Sequence, residues 1–185
     1  MIPTEEECFQ ILQERAVPDH IIRHSIMVHR AAVFLAQALN RQGEKLDPTL
    51  IGAGSLLHDI AKMDGLRSRN SHSRDGAHLL IHLGYAEVAE IVRQHVVLDP
   101  PHGDPNGRFD LTEAAVVHYA DKRVKHTEIV SLRERFHDLK ERYGKAPEAL
   151  AWMESAEEQG MRLEKRIFEK LSFGPEKLNS LSQKS

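Results

Sequence analysis

Apolar residues recur at helical spacing through almost the whole chain, and turn residues mark where each run stops. Thr4 followed by Glu7 is a capping-box pattern, and Phe9, Ile11, Leu12 and Val17 fit a short first helix closed by Pro18. Asp19 is placed to cap a long second helix whose apolar stripe includes Ile21, Ile22, Ile26, Val33, Leu35, Ala36 and Leu39, with Gly43 to end it. His20 and His24 share one face of that helix. Asp47-Pro48 reads as cap and first helical residue of a third helix, whose apolar run ends in Leu56-Leu57-His58-Asp59. The small residues Gly52, Ala53, Gly54 and Ser55 let a neighbouring helix pack closely against it.

Beyond Lys62 the segment 63–71 is polar, carries Gly65, Arg67 and Arg69, and reads as a loop. Ser73 is expected to cap a fourth helix through Ala77, Leu79, Leu80 and Leu83, stopped by Gly84; Tyr85 to Val97 makes a fifth with His95 near its end. Residues 98–109, dense in Asp-Pro and Asn-Gly pairs, form the clearest loop. Asp110 with Glu113, and Ser131 with Glu134, are two further capping-box patterns; the first opens a helix carrying Asp121, the second a charged helix ending at Tyr143 and Gly144. Pro147 opens a last long helix to about Phe173, and residues 176–185 are expected to fray. No period-2 strand and no internal repeat is found, so the expected fold is an all-α bundle of about seven or eight helices in a single domain spanning 1–175.

Composition narrows the classes. The chain has 185 residues, a net charge of −3 and few aromatics, which argues against disorder and carries no nucleic-acid-binding signature. Cys8 is the single cysteine, so no intrachain disulfide forms; no apolar run is long enough to span a membrane, and the first residues lack the basic and apolar regions of a signal peptide. The expected location is cytoplasmic. Twelve histidines are the one oddity.

His58 and Asp59 side by side at the end of an apolar helix are a poor choice for packing and a good one for a divalent cation, which satisfies both groups and activates water. Asp121 likewise sits in a mostly apolar helix, where an isolated carboxylate is costly. A histidine on the second helix joins them as a candidate. Spacing alone does not bring these residues together.

The pattern His24-Ser25, Leu57-His58-Asp59-Ile60-Ala61-Lys62 and Tyr119-Ala120-Asp121-Lys122 resembles the HD-domain metal-dependent phosphohydrolases. The doublet continues Ile60-Ala61 where the commonest subgroup has Ile-Gly. The resemblance spans about residues 20 to 125 and implies an HD-domain-like core at 18–126 with a C-terminal helical extension at 127–175. It implies that His24, His58, Asp59 and Asp121 hold one divalent metal. The segment from His72 to Ala77 and the pair Gln94-His95 are similar to the two-metal version, in which His72 and His95 would hold a second ion and Asp59 would bridge. The variant nearest in pattern is the diadenosine tetraphosphate hydrolase type.

What the resemblance implies is a phosphohydrolase in which water activated by one or two ions of iron, manganese, nickel or zinc attacks a phosphate ester or anhydride of a small molecule, with a nucleotide as the expected substrate. Asp59 and Lys62 are its expected catalytic residues, Lys62 contacting phosphate. Arg67, Arg69 and Arg74 read either as an extension of the anion site or as solvated surface charge. The rival readings are a non-catalytic metal-binding or nucleotide-sensing HD module and a di-iron oxygenase. His118 is open between supporting the ligands and touching substrate, His78 and His82 read as structural or exposed, and His20, His29, His102, His126 and His137 carry no assignment. The charged run 128–142 reads as a solvated helix face or as a wall of the substrate entrance. The stripe of Trp152, Met153, Met161, Leu163, Ile167, Phe168 and Leu171 is core or, in a homodimer, a dimer surface.

Overall fold

A computed structural model of the chain describes residues 1–64, 71–99 and 110–183. Eight α-helices lie wholly within the described residues: α1 (Glu5–Glu14), α2 (Asp19–Asn40), α3 (Pro48–Leu57), α4 (His72–His82), α5 (Ala86–Gln94), α6 (Glu113–Arg123), α7 (Leu132–Tyr143) and α8 (Pro147–Phe168); residues 62–64 are helical as well, where the polar composition beyond Lys62 suggested a loop. A 3-10 helix spans Pro175–Gln183, and two-residue strands β1 (Val124–Lys125) and β2 (Glu128–Ile129) pair antiparallel, Val124 facing Ile129. The fold is all-α, as the periodicity indicated. The hairpin is too short to leave a period-2 trace.

Local chemistry explains most helix starts. Thr4 and Glu7 form the full capping box at α1. The Asp47 carboxylate accepts from Thr49 N at 2.8 Å and Leu50 N at 3.2 Å, with Pro48 at the first helical position, where its missing N–H costs nothing. Ser131 accepts from Glu134 N at α7. Three starts differ from expectation. Asp19 is the first residue of α2 rather than its cap, since Pro18 already sets the extended entry. The chain enters α4 at Ser71, which leaves Ser73 buried inside the helix. At α6 the cap is Thr112 rather than Asp110, and Glu113 reaches away from its own helix to accept from Asp47 N at 3.0 Å, tying α6 to the start of α3.

Helix α2 packs against α3 and α6, α3 also meets α5 and α6, α4 pairs with α5, and α7 with α8. Two apolar clusters result. One joins Val28, Ala32 and Leu35 of α2 to Ala115 and Val116 of α6, Phe136 of α7 and Leu163 and Ile167 of α8. The other joins Leu12 of α1, Leu56 and Leu57 of α3, Leu80 of α4 and Val88 and Val92 of α5. Each such side chain contributes about 1.5–3 kcal/mol by leaving water. The small-residue run of α3 allows the close approach it suggested: a Cβ at Gly54 would lie 2.7 Å from Cγ2 of Ile91 on α5.

The last helix ends at Phe168, earlier than the pattern suggested, and the described part of the segment expected to fray, up to residue 183, is a packed 3-10 helix. Leu178 is fully buried, and Arg123, itself only 1% exposed, donates from Nη2 to Pro175 O at 3.2 Å and to Asn179 Oδ1 at 3.3 Å. The same guanidinium donates to Tyr119 Oη at 2.6 Å and lies 3.3 Å from Glu164 on α8. A buried cation needs all these acceptors, and some of them lie in the terminal segment. The apolar stripe of α8 divides: Met153, Leu163 and Ile167 are buried, while Trp152 and Met161 are exposed.

Candidate metal centre

Five helices deliver His24, His58, Asp59, His72, His95 and Asp121 to one place. His24 comes from the first half of α2, His58 is the residue that closes α3 with Asp59 directly after it, His72 opens α4, His95 closes α5, and Asp121 lies in the last turns of α6. All but His72 are buried. The side chains form two triads, His24–His58–Asp121 and Asp59–His72–His95, whose donor atoms lie within 4.8 Å of one another in each.

Backbone carbonyls set the imidazoles. His24 Nδ1 donates to His126 O at 3.0 Å, His58 Nδ1 to Ser55 O at 2.7 Å and His95 Nδ1 to Val92 O at 2.6 Å. A carbonyl only accepts, so in each ring Nδ1 carries a proton and, in the neutral ring, Nε2 presents a lone pair. Those lone pairs point at acceptors. His24 Nε2 lies 3.0 Å from Asp121 Oδ1, His58 Nε2 lies 3.4 Å from Asp59 Oδ2 and 3.7 Å from Asp121 Oδ1, and His72 and His95 bring their Nε2 atoms within 3.1 Å of each other and 3.4 and 3.5 Å from Asp59 Oδ1. Ligand atoms about 2.1 Å from one ion stand roughly 3.0–3.5 Å apart, so this spacing suits neighbours around a cation better than hydrogen-bond partners. His58 Nε2 is buried with no hydrogen-bond partner among the described residues. A set of three imidazoles or carboxylates at each point suits a divalent transition metal.

Electrostatics carry the same signature of missing positive charge. Burial pushes His58 down, yet the Asp59 and Asp121 carboxylates hold it above its ordinary value. Burial lowers His95 to about 4, which keeps it neutral and able to ligate. Asp59 is held well below the carboxylate range, against burial, chiefly by His58, with His72 and His95 also beside it. Asp121 is held low in the same way by Lys122, His24 and His58.

Each carboxylate has one oxygen tethered by a lysine. Lys62 Nζ donates to Asp59 Oδ2 at 2.5 Å, and Lys122 Nζ to Asp121 Oδ2 at 2.7 Å, leaving the Oδ1 atoms turned to the imidazoles. Lys122 also donates to His95 O at 3.1 Å. Nothing in the sequence assigns Lys122 a role beyond its place in a buried stretch, where a cation requires a partner. His126 was also without a role. It occupies the tight turn between β1 and β2 with φ 57°, and its carbonyl fixes the His24 ring.

His118 is buried and donates from Nδ1 to His95 O at 3.0 Å, so it supports a ligand's backbone rather than lining the cavity. His78, His82 and Arg74 are exposed. Arg67 and Arg69, and the loop residues 100–109, lie outside the described residues. A cavity of about 750 Å³ opens onto His24, Asp59 and Lys62, with Arg135, Leu139 and Arg142 of α7 in its far wall. The charged run therefore presents one of its faces to this cavity.

Fold and site together define a helical protein with a buried histidine–aspartate centre fit for divalent metal. The HD domain family matches residues 21–125, more than half of the chain, and the protein belongs to it. Two relatives carry the name tRNA (cytidine(56)-2'-O)-methyltransferase: that of Thermoplasma volcanium is 32% identical over 99 residues and that of Picrophilus torridus 32% over 96. These matches cover 52% and 51% of this chain but only 27% and 26% of the relatives, so the chain spans about a quarter of their length. An uncharacterized protein of Methanocaldococcus jannaschii is 28% identical over 139 residues, covering 69% of this chain and 79% of that protein. No solved structure matches the chain. Among the described residues no helix is long and apolar enough to cross a membrane.

Proposed function

We propose that the protein is a metal-dependent phosphohydrolase cleaving a phosphate ester or anhydride of a small molecule, with a nucleotide as the expected substrate. The observation that carries this reading is the convergence of imidazole Nε2 atoms and carboxylate oxygens in two adjacent triads, an arrangement that suits cations. His24, His58 and Asp121 would hold one ion, His72 and His95 the second, and Asp59, with Oδ2 towards His58 and Oδ1 towards His72 and His95, would serve both. Bound there, divalent metal supplies an acidified water and a Lewis acid for phosphoryl oxygens.

The chain's own residues supply the rest. Lys62, with its side chain 40% exposed at the cavity, is the cation placed to meet a phosphoryl oxygen, and the Asp59 and Asp121 carboxylates keep it charged against burial. The carbonyls of Ser55, Val92 and His126 keep three rings in the ligating tautomer. The cavity is large enough for a nucleotide.

The test is turnover of a panel of nucleoside mono-, di- and triphosphates, cyclic nucleotides and a general phosphodiester by protein loaded with manganese, iron, nickel or zinc. Hydrolysis that disappears in Asp59→Ala is the expected result. No hydrolysis across the panel, or equal turnover in the variant, would discard the reading. A non-catalytic module is the second reading. It is favoured by the two relatives in which the matched part is about a quarter of a protein named for another activity. Metal and nucleotide binding without turnover would select it.

A further inference from the structure

The C-terminal extension adds a cationic wall to the cavity that the metal centre does not explain. Arg135, Asp138, Leu139 and Arg142 follow the helical spacing i, i+3, i+4, i+7 on α7, beyond the residues that match the HD domain family. Asp138 is buried and receives three cations. Arg135 Nη1 lies 3.3 Å from its Oδ2, Arg142 Nε donates to Oδ1 at 3.1 Å while Nη2 reaches Oδ2, and Lys125 Nζ lies 3.4 Å from Oδ1. One carboxylate among three cations leaves two positive charges uncompensated within that group.

The surplus faces the cavity. Arg135 and Arg142 line it together with Arg23 and Lys62, and Asp59 is the one carboxylate among the described lining residues. Arg135 Nε is buried without a hydrogen-bond partner among the described residues, although its Nη1 is held by Asp138. Arg142 Nη2 also reaches His126 Nε2 at 3.3 Å, which links the wall to the turn whose carbonyl orients His24. A guanidinium pair held from behind by a carboxylate, with donors left over at a cavity rim, is built to receive phosphate oxygens in a planar, forked contact.

We propose that Arg135 and Arg142 bind a second phosphate group of the substrate, distinct from the phosphoryl group that reacts beside Asp59 and Lys62, and so select ligands with two phosphates over monophosphates. Asp138 is a positioning residue that fixes both guanidinium groups. This proposal rests on the reading of the cavity as the substrate site. The second phosphate comes either from an anhydride chain or from a separate ester on the same nucleoside, and the probes distinguish the two.

The experiment is calorimetric binding to the manganese-loaded full chain of AMP, α,β-methylene-ADP, which resists hydrolysis, and adenosine 3′,5′-bisphosphate. At least one two-phosphate probe is expected to bind about tenfold tighter than AMP, as one charge-assisted contact allows. Which probe shows the advantage names the source of the second phosphate. In Arg135→Gln/Arg142→Gln the advantage should fall below about threefold; if that variant melts below the assay temperature, Arg142→Gln alone is read, with a loss of about threefold expected. Equal binding of all three probes by the wild type, or an advantage that survives the substitutions, overturns the proposal. Because binding needs no turnover, a retained preference without hydrolysis rejects only the hydrolase reading, and hydrolysis without preference rejects only this one.

Discussion

The Nε2 atoms of His72 and His95 stand 3.1 Å apart, and His95 Nδ1 already gives its proton to Val92 O. The His95 lone pair therefore faces the neighbouring ring across a gap that only a proton or a cation fills. Asp59 Oδ1, 3.4 Å from His72 Nε2 and 3.5 Å from His95 Nε2, supplies the negative side of the same point, and its Oδ2 looks towards His58 at 3.4 Å. We expect two ions per chain in the wild type and one in His72→Ala, counted by metal analysis after removal of loosely bound metal. Metal at about 100 times its dissociation constant should stabilise the fold by about 2.7 kcal/mol. One ion in both proteins would dismiss the second triad as a site.

Lys62→Met keeps most of the aliphatic stem and removes the charge beside Asp59. Loss of one preorganised cation at a developing phosphoryl charge lowers kcat by about 10²–10³-fold. Metal content should stay within the error of the wild type, since Lys62, although hydrogen-bonded to Asp59, is not itself a metal ligand. A variant that loses its metal along with its activity would show that Lys62 holds Asp59 in place rather than meeting substrate.

Gly54 lets α3 and α5 approach, and α5 carries His95 at its end. A methyl group at Gly54 would meet Ile91 at 2.7 Å, so Gly54→Ala forces a shift costing about 1–3 kcal/mol. Denaturant melts should show that loss. Weaker binding of one ion out of two should accompany it, and the double change Gly54→Ala/Ile91→Ala, which removes Cγ2 and Cδ1, should recover part of the metal binding.

Arg123→Met removes the positive charge beside Glu164, which then keeps only the Tyr119 hydroxyl, and removes the donors to Pro175 O and Asn179. Breaking a buried charge pair of this kind costs about 3–5 kcal/mol, with the lower end expected because the Glu164 side chain is 17% exposed. Hydrogen exchange in residues 175–183 should lose its protection before the rest of the chain does. Uniform exchange behaviour would mean that Leu178 and the bond from Ile129 N to Ser182 Oγ hold the terminal segment without Arg123.

Cys8 is fully buried, and burial, with Glu5 and Glu7 nearby, pushes its thiol up from 9.0 to about 12. The folded chain keeps this proton where the unfolded chain releases it. Its contribution is intact below pH 9 and is lost as pH rises towards about 12, so stability falls across that window. Alkylation at pH 8 should be slow in the native protein and fast in urea. Rapid native labelling would show that α1 opens.

Much of the helical framework is legible because its signals are short-range. Thr4 with Glu7, and Asp47 with Pro48, satisfy backbone groups within a few residues, and the chain needs nothing distant to make them. The starts of α2, α4 and α6 were misplaced where a competing partner won: the fixed backbone of Pro18, the burial of Ser73, and the reach of Glu113 to Asp47 on another helix. The terminal segment escaped for the same reason, because the Arg123 contacts that hold Pro175 and Asn179 join residues distant in the chain.

By itself, then, the sequence determined an all-helical chain and its main helices, and marked His58, Asp59 and Asp121 as side chains whose types suit metal, while His24, His72 and His95 joined them through the resemblance to HD-domain proteins. Only the tertiary structure decided that these six fall into two triads, that one oxygen of Asp59 serves each side, and that Lys122 and the His126 carbonyl hold two of the donors. It also turned one face of a charged helix, Arg135 and Arg142, into a wall of the same cavity. The physical reason is range. Caps and apolar stripes are set by neighbours three or four positions away, whereas the meeting of donors depends on how helices far apart in the chain pack.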